Sequence, residues 1–449
     1  MVIFFLPVWI GCLENFVLIK SYWNYFHKKM NKVEEEEVES SKFRYLVCGF
    51  AFLIQFTGYG FNRTFGTIYV SMQKEFDASN ASIALAGSLP ASLLFMLSTV
   101  AVVILDRIGF RLSMLLGGIL IGVALLVSSL TSNILIIYLT LGVVYAFGQS
   151  LCYYGSLLIL PLYFKKTLPL AHSIAISGNS VGGLALAPVV GFVLKQYGFS
   201  GGMRLCSAIA LFIIAMSVVF KRPGESFWFN GLICEENERR SDSESKPENL
   251  PLHKNKAFMI YVVSIMYCKF GVYINYVHIV RLALDRAVPY TEATFLPGLT
   301  SIAQFLGKIA FGKLSAMKVA SNLALCQIST AFMGVLMFFP FLKGFTGLAI
   351  ISFAFGLSQG LHNASNLIIV KEIVETQQFK RGYNISQFFI GIATFCGPPV
   401  AGYLYTLTGN YILAFLIAGG CAVMGMLLMF FVRYFHALNK EENELLLKQ

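Results

Sequence analysis

Three cations interrupt apolar stretches in which a charge is costly: Arg63 in YGFNRTFG, Lys269 in MYCKFGVY and Lys308 in QFLGKIAF. A positive charge held at membrane depth is relieved by an anionic partner, so the chemistry these residues offer is capture of an anion. Lys308 follows Gln304 by one helical turn, which puts both on one face. Lys269 shares a face with Tyr273 and Tyr276 by the same spacing, although a packing or gating role fits it as well. Lys308 has a structural reading too, with its stem snorkelling to an interface one turn away.

The acids sharpen this picture by where they fall. The chain has 23 Asp and Glu, and the ones nearest to apolar runs, Glu75, Asp106, Asp285, Glu292 and Glu372, mark turns rather than span centres. A cavity with cations and no central carboxylate lacks the usual acidic proton relay, so proton coupling, where present, must use a histidine, a lysine or the substrate itself. His172, His278 and His362 are single and read as hydrogen-bonded structure, with His278 placed to line the outer half of a pathway. Tyr153, Tyr154, Asn275, Gln359 and Asn366 are polar positions within spans that can contact a substrate.

No nucleophile–base pair, phosphate loop or metal-ligand spacing accompanies these residues. The nine cysteines mostly stand singly in apolar runs, as packed free thiols do. A membrane enzyme, a metal centre and a cofactor are therefore not expected.

The elements that position these residues follow from composition. Of 449 residues, 57% are hydrophobic and 13% charged, far from the balance of a soluble domain. Breaking the chain at charges, Gly, Pro and Asn gives spans near 43–72, 79–105, 111–131, 133–163, 168–195 and 201–220. A second set lies near 257–284, 292–312, 319–341, 345–371, 380–406 and 410–434. The fold class is an all-α membrane protein with twelve transmembrane helices in two six-helix pseudo-repeats. Its parts are an N-terminal segment 1–42, a first half 43–220, a polar linker 221–256, a second half 257–434 and a tail 435–449.

Internal similarity supports the halving. PVVGFVLKQYG at 188–198 closes span five, and PVAGYLYTLTG at 399–409 closes span eleven, with proline, valine and both glycines in register. The formal charge of +11 is scattered over short loops without interleaved aromatics, which argues against nucleic acid as a partner. One set of turns holds Arg107, Arg111, Lys165, Lys166, Lys313, Lys318, Lys371, Lys380 and Arg381. The other set holds Lys74, Lys195, Arg204, Arg281, Arg286 and Lys343, so the positive-inside rule puts both termini and the linker in the cytoplasm. The apolar start, residues 1–22, is broken by Pro7 and Glu14 and reads as an interfacial helix rather than a leader.

Two motifs bear on movement. In YFKKTLPLAHSIAISGNSVGG, residues 163–183, small residues recur at four-residue spacing, Gly178 with Gly182 among them, and let two helix backbones approach closely. DRIGFR, residues 106–111, sets Asp106 beside Arg107 and Arg111 at a cytoplasmic turn, where they can form a charge network that holds one state closed or can simply anchor topology.

The 163–183 stretch, with YGFNRTFG, DRIGFR and GPPVAGYLY, resembles the monocarboxylate transporter family of the major facilitator superfamily over roughly residues 48–434. The acidic, tryptophan-rich motif usual at the start of span one is absent, with SSKFRYL in its place. The resemblance implies secondary transport of a small organic anion by alternating access across a lipid bilayer, in the plasma membrane, with an ancillary single-span glycoprotein as a partner. It implies that Arg63 stands where the family places a substrate-engaging lysine, and that Gln304 and Lys308 stand at an acid–arginine pair whose acid is lost. Relatives of that fold carry lactate and pyruvate but also aromatic amino acids, thyroid hormones, creatine and carnitine. A transporter fold turned sensor or scaffold is the other reading. Asn80, in the sequon NAS of the first external loop, is the expected glycosylation site.

Overall fold

The computed structural model describes residues 42–76, 80–221, 252–339 and 344–446. The interfacial helix expected over 1–22 and nearly all of the linker lie outside the described residues. Every regular element among the described residues is helical.

The helices are numbered here by span. In the first half, α1 covers 43–75, α2 covers 80–108, α3 covers 110–128, α4 covers 134–163, α5 covers 168–197 and α6 covers 199–217. In the second half, α7 is Lys256–Asp285, α8 Leu296–Ala316, α9 Asn322–Leu336, α10 Phe345–Ile373, α11 Phe379–Thr408 and α12 Ile412–Leu446. Seven helical runs are long and apolar enough to cross a membrane, and the run Leu168–Ser217 contains two spans. An even number of crossings returns the chain to one face, called here the terminal face, where residues 42 and 446 lie.

Glycines make the tightest reversals. Gly109 (φ +80°) turns α2 into α3, and Gly198 (φ +67°) turns α5 into α6, in a backbone region closed to most side chains. Gly409 (φ +71°) caps α11 in the left-handed helical conformation, so both copies of the repeated sequence end on a glycine with positive φ. The α12 helix continues through Leu446, so most of the segment expected as a tail from 435 is helical, beyond the apolar run that ends at Leu438.

Two helices depart from α winding. In α1, Gln55–Tyr59 forms a π turn, Gly60–Asn62 resumes the helix, and it breaks again at Arg63 and Thr64 before Phe65–Glu75. In α4, Tyr138–Val144 is also π-helical. Such wide turns and interrupted spans occur where a membrane protein must present backbone or side chains to a ligand.

The small-residue ladder does what its spacing allows within the first half. A Cβ on Gly178 would strike the carbonyl oxygen of Phe52, and one on Gly182 that of Phe56, so α5 and α1 meet backbone to backbone. The halves themselves meet through α5 with α8, α2 with α11 and α1 with α7. Near the terminal face, Gly312 of α8 lies so close to α5 that a Cβ there would sit 2.8 Å from that of Ser173. At the terminal end of α11, Lys380 meets Asp106 of α2, and at mid-depth a Cβ on Gly391 would sit 2.8 Å from the backbone nitrogen of Met96. The bundle is closed on that side.

Candidate functional site

Arg63 sits at the break in α1, half-buried, with Gly183 of α5 behind it: a Cβ at Gly183 would come within 2.9 Å of the Arg63 Cδ. The missing side chain on α5 is the room the arginine stem occupies. Across the interface between halves, Arg63 Nη2 donates to the Tyr276 hydroxyl of α7 at 3.3 Å. Its guanidinium carbon lies 5.0 Å from the Tyr276 ring centre and 5.6 Å from that of Tyr59, within cation–π range. Arg63 Nε is buried without a partner.

Tyr276 is the hub. Its hydroxyl accepts from Arg63 and from Gln304 Nε2 of α8, and donates to Gln359 Oε1 of α10. That uses the one donor and two acceptor sites a phenol has. Gln304 Oε1, fully buried, is left with no donor. A second bridge between halves runs alongside, with the Tyr59 and Tyr273 hydroxyls 3.1 Å apart. Tyr59, Phe95 and Tyr153 form an aromatic wall with ring centres 5.7 to 6.3 Å apart.

Lys269, buried near the middle of α7, donates to Asn363 Oδ1, one turn from Gln359 on α10. Arg63, Gln304 and Tyr153 thus stand around the seam between halves, with Lys269 bonded inside the second half beside them. Tyr59, Asn363 and the hub role of Tyr276 escape a reading of sequence. Tyr276 shares a helical face with Lys269, the only signal that pointed to it.

Other candidates go elsewhere. The Asn366 amide oxygen accepts from the Tyr261 hydroxyl at 2.7 Å, nearer the terminal face. His278 stacks on Tyr411 with ring centres 4.5 Å apart, and its Nε2 lies 3.2 Å from the Pro398 carbonyl, close to the opposite face. Asn275 is buried next to Tyr276 but projects about 100° away around the helix. His362 is held inside the second half, with Nδ1 3.0 Å from the Thr330 hydroxyl and Nε2 3.6 Å from the Cys268 thiol. Asn80 opens α2 on the face opposite the terminal one, and its side chain lies outside the described residues.

Two expectations need correction. Lys308 does not snorkel: it is 0% exposed, and its ammonium is caught by Asn179 Oδ1, by Ser180 Oγ at 2.7 Å and by the Ile176 carbonyl at 3.3 Å, all on α5. Asp106 meets Lys380 of α11 at 2.5 Å, so the ion pair of the DRIGFR turn joins the two halves rather than running to Arg107, which is exposed. The described ion pairs, this one and Arg281–Asp285, lie at helix ends. Among the described residues, no group of three or more His, Cys, Asp or Glu side chains is placed to hold a metal ion.

A six-plus-six bundle with its polar cluster at the seam has a known counterpart: the model of the Major Facilitator Superfamily matches residues 51–344 and 258–448. The chain belongs to that superfamily. This facilitator is a membrane transporter, similar in sequence to rat Monocarboxylate transporter 13, with 26% identity over 368 residues covering 82% of this chain and 83% of the relative. Human Monocarboxylate transporter 12 is 23% identical over 447 residues, 94% of this chain and 86% of its own. Rat Monocarboxylate transporter 10 is 28% identical over 404 residues, 86% and 77%. In fold it resembles the crystal structure of FucP, a facilitator transporter in the outward conformation, at a TM-score of 0.65 and 16% identity, covering 88% of this chain and 99% of that one. A second structure, of the E. coli fucose:proton symporter FucP, gives a TM-score of 0.60 at 13% identity, covering 85% and 98%.

Proposed function

We propose that this facilitator carries small organic anions, monocarboxylates foremost, by rocking its two halves about the Arg63 cluster. The observation that carries the reading is the state of Arg63. It is a part-buried guanidinium at a helix break, between the halves, with its Nε unpartnered and, among the described residues, no carboxylate in contact. A planar fork of this kind suits a substrate carboxylate, which it can bind through two parallel hydrogen bonds. The orphaned Gln304 Oε1 beside it favours a substrate that also brings a donor, such as a hydroxyl or amine next to the carboxylate. Lys269 adds positive potential at the same depth, and the aromatic wall of Tyr59, Phe95 and Tyr153 offers an apolar side for the carbon skeleton.

Alternating access then needs contacts that can be exchanged. Those at the terminal face, Asp106–Lys380 among them, belong to the state closed on that side, and Gly178 and Gly182 let α5 and α1 move as one packed unit. The charge distribution of the loops supports a cytoplasmic terminal face, with both ends and the linker on that side. The family resemblance supports the plasma membrane as location and an ancillary single-span glycoprotein as partner. Symport with a proton must operate without a central acid.

The test is uptake of labelled lactate or pyruvate into expressing cells, with and without an inward proton gradient at fixed substrate concentration. Saturable uptake that Arg63→Ala abolishes supports the reading, and acceleration by the gradient assigns symport. Absence of uptake for these and other organic anions, with the protein at the cell surface, would overturn it and favour a sensor or scaffold.

A further inference from the structure

An ammonium group has three donors, and Lys308 finds an acceptor for each: Asn179 Oδ1, Ser180 Oγ and the Ile176 carbonyl. Three features of this arrangement matter together. The lysine belongs to α8 in the second half, while every acceptor belongs to α5 in the first. The side chain is 0% exposed. All three acceptors are neutral, so the charge is solvated by dipoles alone.

A cation held in this way is not on offer to a substrate, because its donors are already used. It is also held entirely by the partner half. Four residues further towards the terminal face, Gly312 packs against Ser173 and the backbone of Leu170, so the two helices stay in close contact from Lys308 to the end of the seam. Separating α5 from α8 there strips the ammonium of all three partners in one movement. The charge must then be met by water entering from the terminal face, and until that happens the separation is opposed by the desolvated ion.

The geometry points to Lys308, Asn179 and Ser180 as a latch that holds the terminal face closed, with Asn179 and Ser180 as positioning residues that set its strength. The latch rests on the two-half rocking proposed above but on no particular substrate. Its neutral acceptors make it releasable: a carboxylate in place of Asn179 would add full charge attraction in a low-dielectric seam and hold it shut.

The test reads opening directly. A cysteine introduced as Ser173→Cys, covered by Gly312 while the seam is closed, is labelled with a membrane-impermeant maleimide in sealed vesicles of both orientations, and labelling of the parent protein's natural cysteines is subtracted. With Asn179→Ala and Ser180→Ala together, the Ser173→Cys labelling rate from the terminal face should rise about a hundredfold, the effect of losing two hydrogen bonds to a charge at about tenfold each. With Asn179→Asp it should fall below that of the otherwise unchanged protein. The aspartate has nearly the same shape, so it decides the matter even where the alanine pair reaches the membrane poorly. Labelling in Asn179→Asp as fast as in its parent, or no faster in the alanine pair, would overturn the latch. Failure of the anion-carrier reading would show separately, as absent lactate or pyruvate uptake in a protein whose labelling still responds to these changes.

Discussion

Arg63 and Lys308 are both cations at membrane depth on the seam between halves, and the structure treats them in opposite ways. Lys308 is fully buried with three acceptors for three donors, whereas Arg63 is only partly buried, with an unpartnered Nε and one hydrogen bond, to a phenol that has other partners. The same formal charge is therefore fully engaged in one place and available in the other. Charge and depth, which sequence reports, do not distinguish a ligand site from a structural joint. The number of unsatisfied donors does.

The contrast can be broken most severely at Arg63. Arg63→Ala should lower kcat/KM for the transported anion by about 100-fold, since a charge-assisted contact is lost and Gln304 and Tyr276 cannot replace it. Arg63→Lys keeps the charge without the fork and should recover part of that loss, measured as initial uptake rates over substrate concentration. Tyr276→Phe removes the hub while leaving its ring under the guanidinium, and KM should rise about tenfold, the effect of a hydrogen bond to a charge. An unchanged KM in Tyr276→Phe would mean that the cluster does not position Arg63.

Lys308→Met sharpens the contrast by its signature rather than its size. A substrate ligand would show in KM, but a cation whose donors are all engaged should leave KM within about threefold and shift the maximal rate instead. The smallest effect is expected for Asp106→Asn. The Lys380 and Asp106 side chains are 41% and 45% exposed. Loss of their attraction should therefore change net transport by no more than about twofold, and less at high salt. Full loss of transport in Asp106→Asn would mark the turn as more than an exposed pair.

Much of the architecture was legible because hydropathy reports it directly: long apolar runs, a polar linker and a repeated proline–glycine pattern yield two sets of six spans. Gly198 and Gly409 show why the repeat was visible, since both must take a backbone of positive φ that few other residues accept. Arg63 could be found for the complementary reason, as an isolated charge whose cost demands a use. Partners were harder. Tyr276 shares a periodic face with Lys269, but Asn179 lies 129 positions from Lys308 and meets it only when two halves close. No spacing rule links residues on different helices. Asn179 and Ser180 also sit within a ladder of small residues whose obvious role, close packing of α5 on α1, conceals their second one.

The π turn of α1 fixes the phase of everything beyond it. Each residue in a regular helix advances about 100° around the axis, and a wide turn such as Gln55–Tyr59 accommodates one residue more than regular winding would. A substitution that rewound the turn as regular helix, with no residue removed, would swing Arg63 about a quarter-turn away from Tyr276 and the space above Gly183. Phe52, before the turn, would keep its seat against Gly178. A single-codon change could thus leave the helix inserted and packed while aiming its charge at the wrong neighbour.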